Sequence, residues 1–187
     1  MKKILKWTGI ILISLFLLFF GYSRYQRYDT KQYSPEMVVQ YAKGDLELSV
    51  FYNRPYKKGR DIFGGLVPYG EVWRTGANEA TTFTTSKDLL VDGKPLEAGT
   101  YTLWTIPNRE RWEVIFNRKE YSWGIDTDGE PMREPEYDAL SVTVTPSELD
   151  EEVEQFTIGF GDGTPLTLDL RWDDTEVSVP LETLSQK

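Results

Sequence analysis

From residue 36 onward the chain alternates apolar and polar side chains almost everywhere and shows helical spacing almost nowhere. Successive side chains on a strand point to opposite faces, so this pattern builds sheets with one face buried. Leu46, Leu48, Val50 and Tyr52 fall on one face, with Glu47, Ser49 and Phe51 opposite. Leu166, Leu168, Leu170 and Trp172 alternate in the same way with Thr167, Asp169 and Arg171. Further strands are expected over residues 80–86, 100–106, 111–117, 140–145, 155–160 and 176–181. Turn-forming pairs punctuate these runs at Asp92-Gly93, Pro107-Asn108, Asp128-Gly129 and Asp162-Gly163. The fold class that follows is all-β, an antiparallel β-sandwich whose strand order fits either a Greek key or a jelly roll. Hydrophobic residues at 40% of the chain supply the core that a sandwich requires.

The amino-terminal segment obeys a different rule. Residues 7–22 read WTGIILISLFLLFFGY, without a charge, behind Lys2, Lys3 and Lys6. A bilayer asks for about 20 apolar residues. Ile4 and Leu5 lengthen the run if Lys6 extends its amine to the headgroups. Trp7 at one end, with Tyr22, Tyr25 and Tyr28 at the other, suits the membrane interface. A cleaved signal peptide is the competing reading, but its apolar core would be shorter, and Gly21-Tyr22-Ser23 is a poor cleavage site. The expectation is a transmembrane helix over residues 1–22, a polar stalk over 23–35 and a β-sandwich domain over 36–187. The membrane, through that helix, is the first expected partner, with the domain on its extracytoplasmic side.

Charge and composition exclude more than they assign. The first 31 residues carry a net +5, which leaves −14 on the remaining 156. An acidic body of that size repels phosphate backbones, so no nucleic acid is expected as a partner. The chain has no cysteine and no histidine. Disulfides, thiol nucleophiles, Ser-His-Asp arrangements and His- or Cys-ligated metals are therefore all excluded. Neither a cofactor nor a metal is expected, and the chemistry leans against an enzyme.

One segment stands apart. Between Asn53 and Ala80 runs a connection, RPYKKGRDIFGGLVPYGEVWRTGAN, with five glycines and two prolines. Connections beyond about 15 residues are uncommon in compact domains and are often functional or packed on themselves. This one gathers Arg54, Lys57, Lys58, Arg60 and Arg74 in an otherwise acidic body. The candidate ligand-binding residues are Arg54, Arg60, Trp73, Arg74, Asn78 and Glu79, with Trp104. Guanidinium forks grip carboxylates or sugar hydroxyls, and Trp73 or Trp104 would offer a ring face to a sugar. The plainer alternative makes the same residues internal supports, with Arg74 or Arg60 paired to Glu79 and Asn78 bonded to backbone.

The run Arg54-Pro55, Gly59-Arg60, Ile62-Phe63-Gly64, Leu66-Val67-Pro68-Tyr69-Gly70, then Val72 through Thr81, resembles the signature of a bacterial family, domain of unknown function 2911. Ala98-Gly99-Thr100-Tyr101, Leu103, Thr105-Ile106-Pro107, Trp112 through Asn117 and Trp123-Gly124 are similar to its later parts. The similarity covers roughly residues 38 to 181. It implies an exported or membrane-attached protein and brings no activity, substrate or catalytic residue. Two departures stand out: Asp126 to Tyr137 is longer than the family's link after Trp-Gly, and Ser141 occupies a place expected to be basic.

Acidic clusters supply the remaining candidates. Asp126-Thr127-Asp128-Gly129-Glu130 hints at a calcium loop, but Gly124 and Pro135 stand where an EF-hand needs acidic ligands, so it reads as a solvated turn. Glu148, Asp150, Glu151, Glu152 and Glu154 read as a solvated loop between strands. Glu79 with Glu113 is the first pair to consider for carboxylate-based glycoside hydrolysis. The leading functional expectation is a non-catalytic module that binds a glycan or an envelope protein. A hydrolase of envelope glycans and a purely structural role through sheet edges or the long loop are its alternatives.

Overall fold

The structure, a computed structural model, describes residues 2–184. Residues 185–187 of the expected domain lie outside them, as do Met1 and the side chains of Lys2, Lys3, Leu5 and Arg27. The chain forms two compact units, Met1–Tyr33 and Ser34–Lys187.

The first unit is one helix, α1, Lys2–Tyr33. Its segment Lys6–Tyr33 is long and apolar enough to cross a membrane, a property that a signal sequence shares. Leu15, Phe16, Leu17, Leu18 and Phe19 are all exposed along it. The helix does not stop near Tyr22 but continues through most of the expected stalk, which contains neither glycine nor proline before Pro35. Proline disfavours the helical conformation of the residue before it, so Pro35 sets the end at Tyr33. Lys31 in the last turn complements the negative end of the helix.

The second unit is all-β, as the alternation predicts. A six-stranded antiparallel sheet has the order β1-β2-β3-β6-β7-β8. These strands are β1 Glu36–Lys43, β2 Leu46–Asn53, β3 Thr82–Thr85, β6 Gly99–Ile106, β7 Trp112–Asn117 and β8 Asp138–Val144. A four-stranded sheet has the order β5-β4-β10-β9, from β4 Leu89–Val91, β5 Lys94–Leu96, β9 Ser147–Gly161 and β10 Leu166–Thr183. The core lies between them: Val50, Phe83, Leu103 and Val114 from one sheet meet Leu89, Leu168, Val177 and Val179 from the other, all fully buried. Each such side chain contributes about 1.5–3 kcal/mol of burial free energy. The Asp92-Gly93 pair makes the two-residue turn between β4 and β5, with φ of 47° and 75°, the left-handed pair that a tight hairpin requires.

The strands depart from the sequence expectation in several places, and the short β4 and β5 on either side of Asp92-Gly93 were not expected. β1 was not among the expected strands: its exposed Met37 and Val38 hide the alternation of an edge strand. The runs 166–172 and 176–181 are one strand, β10, irregular against β9 around Asp173. The acidic residues Glu148 to Glu154 are not a loop but the first half of β9. Their charge has a structural partner, because Lys57 Nζ lies 3.0 Å from Glu152 and 2.5 Å from Asp173. Those carboxylates, Asp173 first, raise the Lys57 amine above its ordinary value.

Candidate functional site

The long connection 54–80 is tied down at both ends and displays its middle. At its start, Arg54 donates from Nε to Phe156 O at 3.1 Å and from Nη2 to Thr157 Oγ1 at 2.8 Å, fastening the loop to β9. Ile62 and Val67 close a tight turn (Val67 N to Ile62 O, 2.8 Å) and plug the core, 1% and 4% exposed. At its end, Trp73 exchanges backbone hydrogen bonds with Thr105 of β6, 2.7 and 3.0 Å, and Thr81 O accepts from Leu103 N at 2.8 Å. Residues 74–80 thus form a largely buried bulge between two points fixed on one strand.

That bulge is strained and closely held. Thr75 has φ of 54° and is fully buried, an uncommon conformation for a β-branched residue. Its Oγ1 lies 3.1 Å from Thr105 Oγ1, and its carbonyl accepts from Thr81 Oγ1 at 2.7 Å. Gly76, with φ of 149°, has little room for a side chain: a Cβ there would stand 3.0 Å from Asn53 O and 3.1 Å from Thr81 Oγ1. Asn78 donates to Ser34 O at 3.4 Å and to Asn53 Oδ1 at 3.5 Å, and Asn53 Nδ2 donates to Glu79 Oε2 at 3.1 Å.

Beneath the connection lies an aromatic floor. Trp73 stacks on Trp172 with ring centroids 5.9 Å apart and meets Phe156 at 5.0 Å and Trp112 at 6.4 Å. Phe63 sits edge-on to Trp112 at 4.8 Å. Each well-placed ring pair adds about 0.5–1.5 kcal/mol beyond its buried area.

A cleft of about 690 Å³ opens beside this floor, within the usual size range of small-ligand sites. Its walls are mainly apolar, including Pro55, Leu66, Val72, Ala77, Ile125 and Pro131. Trp73, Arg74 and Trp172 line it, with Arg60, Glu71 and Glu130 as its other charged residues. The far wall comes from a small hairpin in which Ile125 bridges Pro131. Asp126 Oδ1 is committed to this hairpin's turn, accepting from Asp128 N at 2.9 Å and Glu130 N at 3.0 Å. Among the described residues no cluster of three or more acidic side chains is placed to hold a metal ion.

Arg74 is the exceptional member. Its Nε is buried without a hydrogen-bond partner, and its side chain makes no ion pair among the described residues. Burial alone pushes its guanidinium below the ordinary arginine value. Gly124 fixes where its stem runs, since a Cβ at Gly124 would lie 2.4 Å from Arg74 Cδ and 2.7 Å from its Cβ. Trp172 Nε1 is a second buried donor without an acceptor, on another residue that lines the same cleft.

The structure therefore divides the residues expected from sequence. Trp73, Arg74 and Arg60 meet at the cleft, although Arg60 also donates to Lys57 O and Tyr56 O within its own loop. Arg54, Asn78 and Glu79 serve as internal supports by the hydrogen bonds above. Neither Arg74 nor Arg60 forms an ion pair with Glu79 among the described residues, so the expected loop-pinning pair is replaced by Asn53–Glu79. Trp104 is fully buried, donates Nε1 to Thr102 Oγ1 at 3.0 Å and packs on Tyr121, so it offers no face to a sugar. Glu79 and Glu113 are not assembled as a pair in this cleft, since neither lines it. Ser141, in the place expected to be basic, receives Lys94 Nζ on its carbonyl at 3.0 Å. Trp172 and the 125–131 wall were missed; the extra length after Trp123-Gly124 was the signal for that wall.

Fold and cleft define a two-sheet β-sandwich with a pocket under a long inter-strand loop. The chain belongs to the family described as "Protein of unknown function (DUF2911)", whose model matches residues 34–181. Neither the curated proteins nor the solved structures offer a match to this chain.

Proposed function

We propose that the domain is a non-catalytic binding module, held at the extracytoplasmic face of the membrane by α1, that takes a glycan or protein ligand in the cleft beside Arg74. The single observation behind this reading is the buried Arg74 Nε without a hydrogen-bond partner, on a residue that lines a mainly apolar cleft with an aromatic floor. A buried donor without an acceptor costs about 1–3 kcal/mol, more when charged. Strain at Thr75, the next residue, adds to that cost, and stored strain gathers at functional sites. The apolar stretch Lys6–Tyr33 supports a retained anchor, and the leading lysines support export of the domain.

The hydrolase alternative keeps one observation, that Glu71 and Glu130 line the same cleft. Both are exposed, whereas catalytic acid–base pairs depend on contrasting environments. The test is retention of the full chain, in detergent micelles, on an array of envelope polysaccharides and short peptides. Wild-type retention that is lost in Arg74→Ala supports the module. No retention of the wild type on any surface removes it, and time-dependent loss of an arrayed glycan would favour the hydrolase.

A further inference from the structure

The chemistry of the occupant can be narrowed, resting on the binding reading above. Two N–H donors without acceptors, Arg74 Nε and Trp172 Nε1, belong to residues of one cleft. Both atoms are themselves sealed from solvent, so what a ligand meets is the rest of the Arg74 guanidinium, and it asks for a negative acceptor, since arginine keeps its proton at any physiological pH. The walls answer a different need: proline and aliphatic side chains cannot satisfy the many hydroxyls of a sugar ring. Glu71 and Glu130, exposed on the same cleft, oppose a second negative charge on the ligand.

We infer that the cleft binds a carboxylate carried on an apolar body, the carboxylate against Arg74 and the body along the Leu66, Val72 and Ile125 walls. A guanidinium fork matches a carboxylate in geometry as well as charge. The carboxylate is a monoanion and so meets less repulsion from Glu71 and Glu130 than a phosphate dianion would. Two sources carry this chemistry, the free carboxyl terminus of a peptide with apolar last residues and a free aliphatic acid.

Calorimetric titration of the full chain in detergent micelles tests the inference with three probes: acetyl-leucyl-leucine, its carboxyl-terminal amide, and hexanoate. The acid peptide is expected to bind about tenfold to a hundredfold more tightly than the amide, the range of a charge-assisted hydrogen bond. Arg74→Met is expected to remove that preference. Gly124→Ala keeps the guanidinium but displaces its stem, and is expected to weaken the acid peptide in the same way. Hexanoate matching the peptide identifies a free acid as the source; much weaker hexanoate identifies a peptide terminus. Equal binding of acid and amide overturns the carboxylate inference while leaving a binding cleft. A neutral polysaccharide retained on the array through Arg74, with none of the three probes bound, overturns it likewise. Silence of both the array and the probes removes the binding reading as well.

Discussion

The two arginines at opposite ends of the long connection have opposite fates. Arg54 spends its guanidinium on β9, with Nε on Phe156 O and Nη2 on Thr157 Oγ1. Arg74, twenty residues on, is desolvated with its Nε unpartnered, beside an open cleft. Both are part of one loop on one sandwich, so general fold stability does not explain the difference. A cation whose donors are all used inside the protein is a fastener. A cation held in place without an internal acceptor is poised for an external one.

Substitutions along the connection should separate these roles. The largest loss of stability is expected at the floor that both ends share. Trp73→Ala should cost about 3–5 kcal/mol, as removal of a packed indole does, and chemical denaturation with near-ultraviolet circular dichroism should report it. A loss below about 1 kcal/mol would mean that the ring cluster is not the support of the loop. Next comes the fastener. Arg54→Met strands the Phe156 carbonyl and should cost about 2 kcal/mol, seen as a melting midpoint roughly 4–8 °C lower.

Lys57 sharpens the contrast at smaller scale. Its amine is raised by Asp173 and Glu152, so its contribution to stability is complete below its unfolded value, about 10.4, and fades as pH climbs through the higher folded value. The melting difference between wild type and Lys57→Met should therefore stay flat from about pH 7 to 9 and shrink only above about 10.5. A difference that vanishes between pH 7 and 9 would detach Lys57 from the β9–β10 clamp.

Much of this architecture was legible in the sequence, and its gaps have physical causes. Period-two alternation located β2 and the first half of β10, each with one face buried against the other sheet, while β6 and β7 were legible as strands although nearly all their residues are buried on both faces. It failed for β1, an edge strand exposed on much of its surface, and for the acidic half of β9, where charge suggested a loop. Glu152 and Glu154 sit in that strand because Lys57 Nζ and Lys58 N meet them from the long connection. The connection itself announced its importance by length, glycine content and arginines. Which arginine faces a cleft is a property of packing: Trp104 and Trp73 look equivalent in sequence, yet one is sealed beneath Tyr121 and the other lines the cleft. Trp172 was legible only as a core residue.

The most direct measurement is the thermal midpoint of Arg74→Met in the full chain, held in detergent micelles beside wild type. An arginine kept for a ligand is a liability to the empty protein, and methionine replaces its stem without the buried, unpaired charge. The variant should then melt at or slightly above wild type. A fall as large as that of Arg54→Met would show that Arg74 is a second fastener and would contradict its assignment to the cleft.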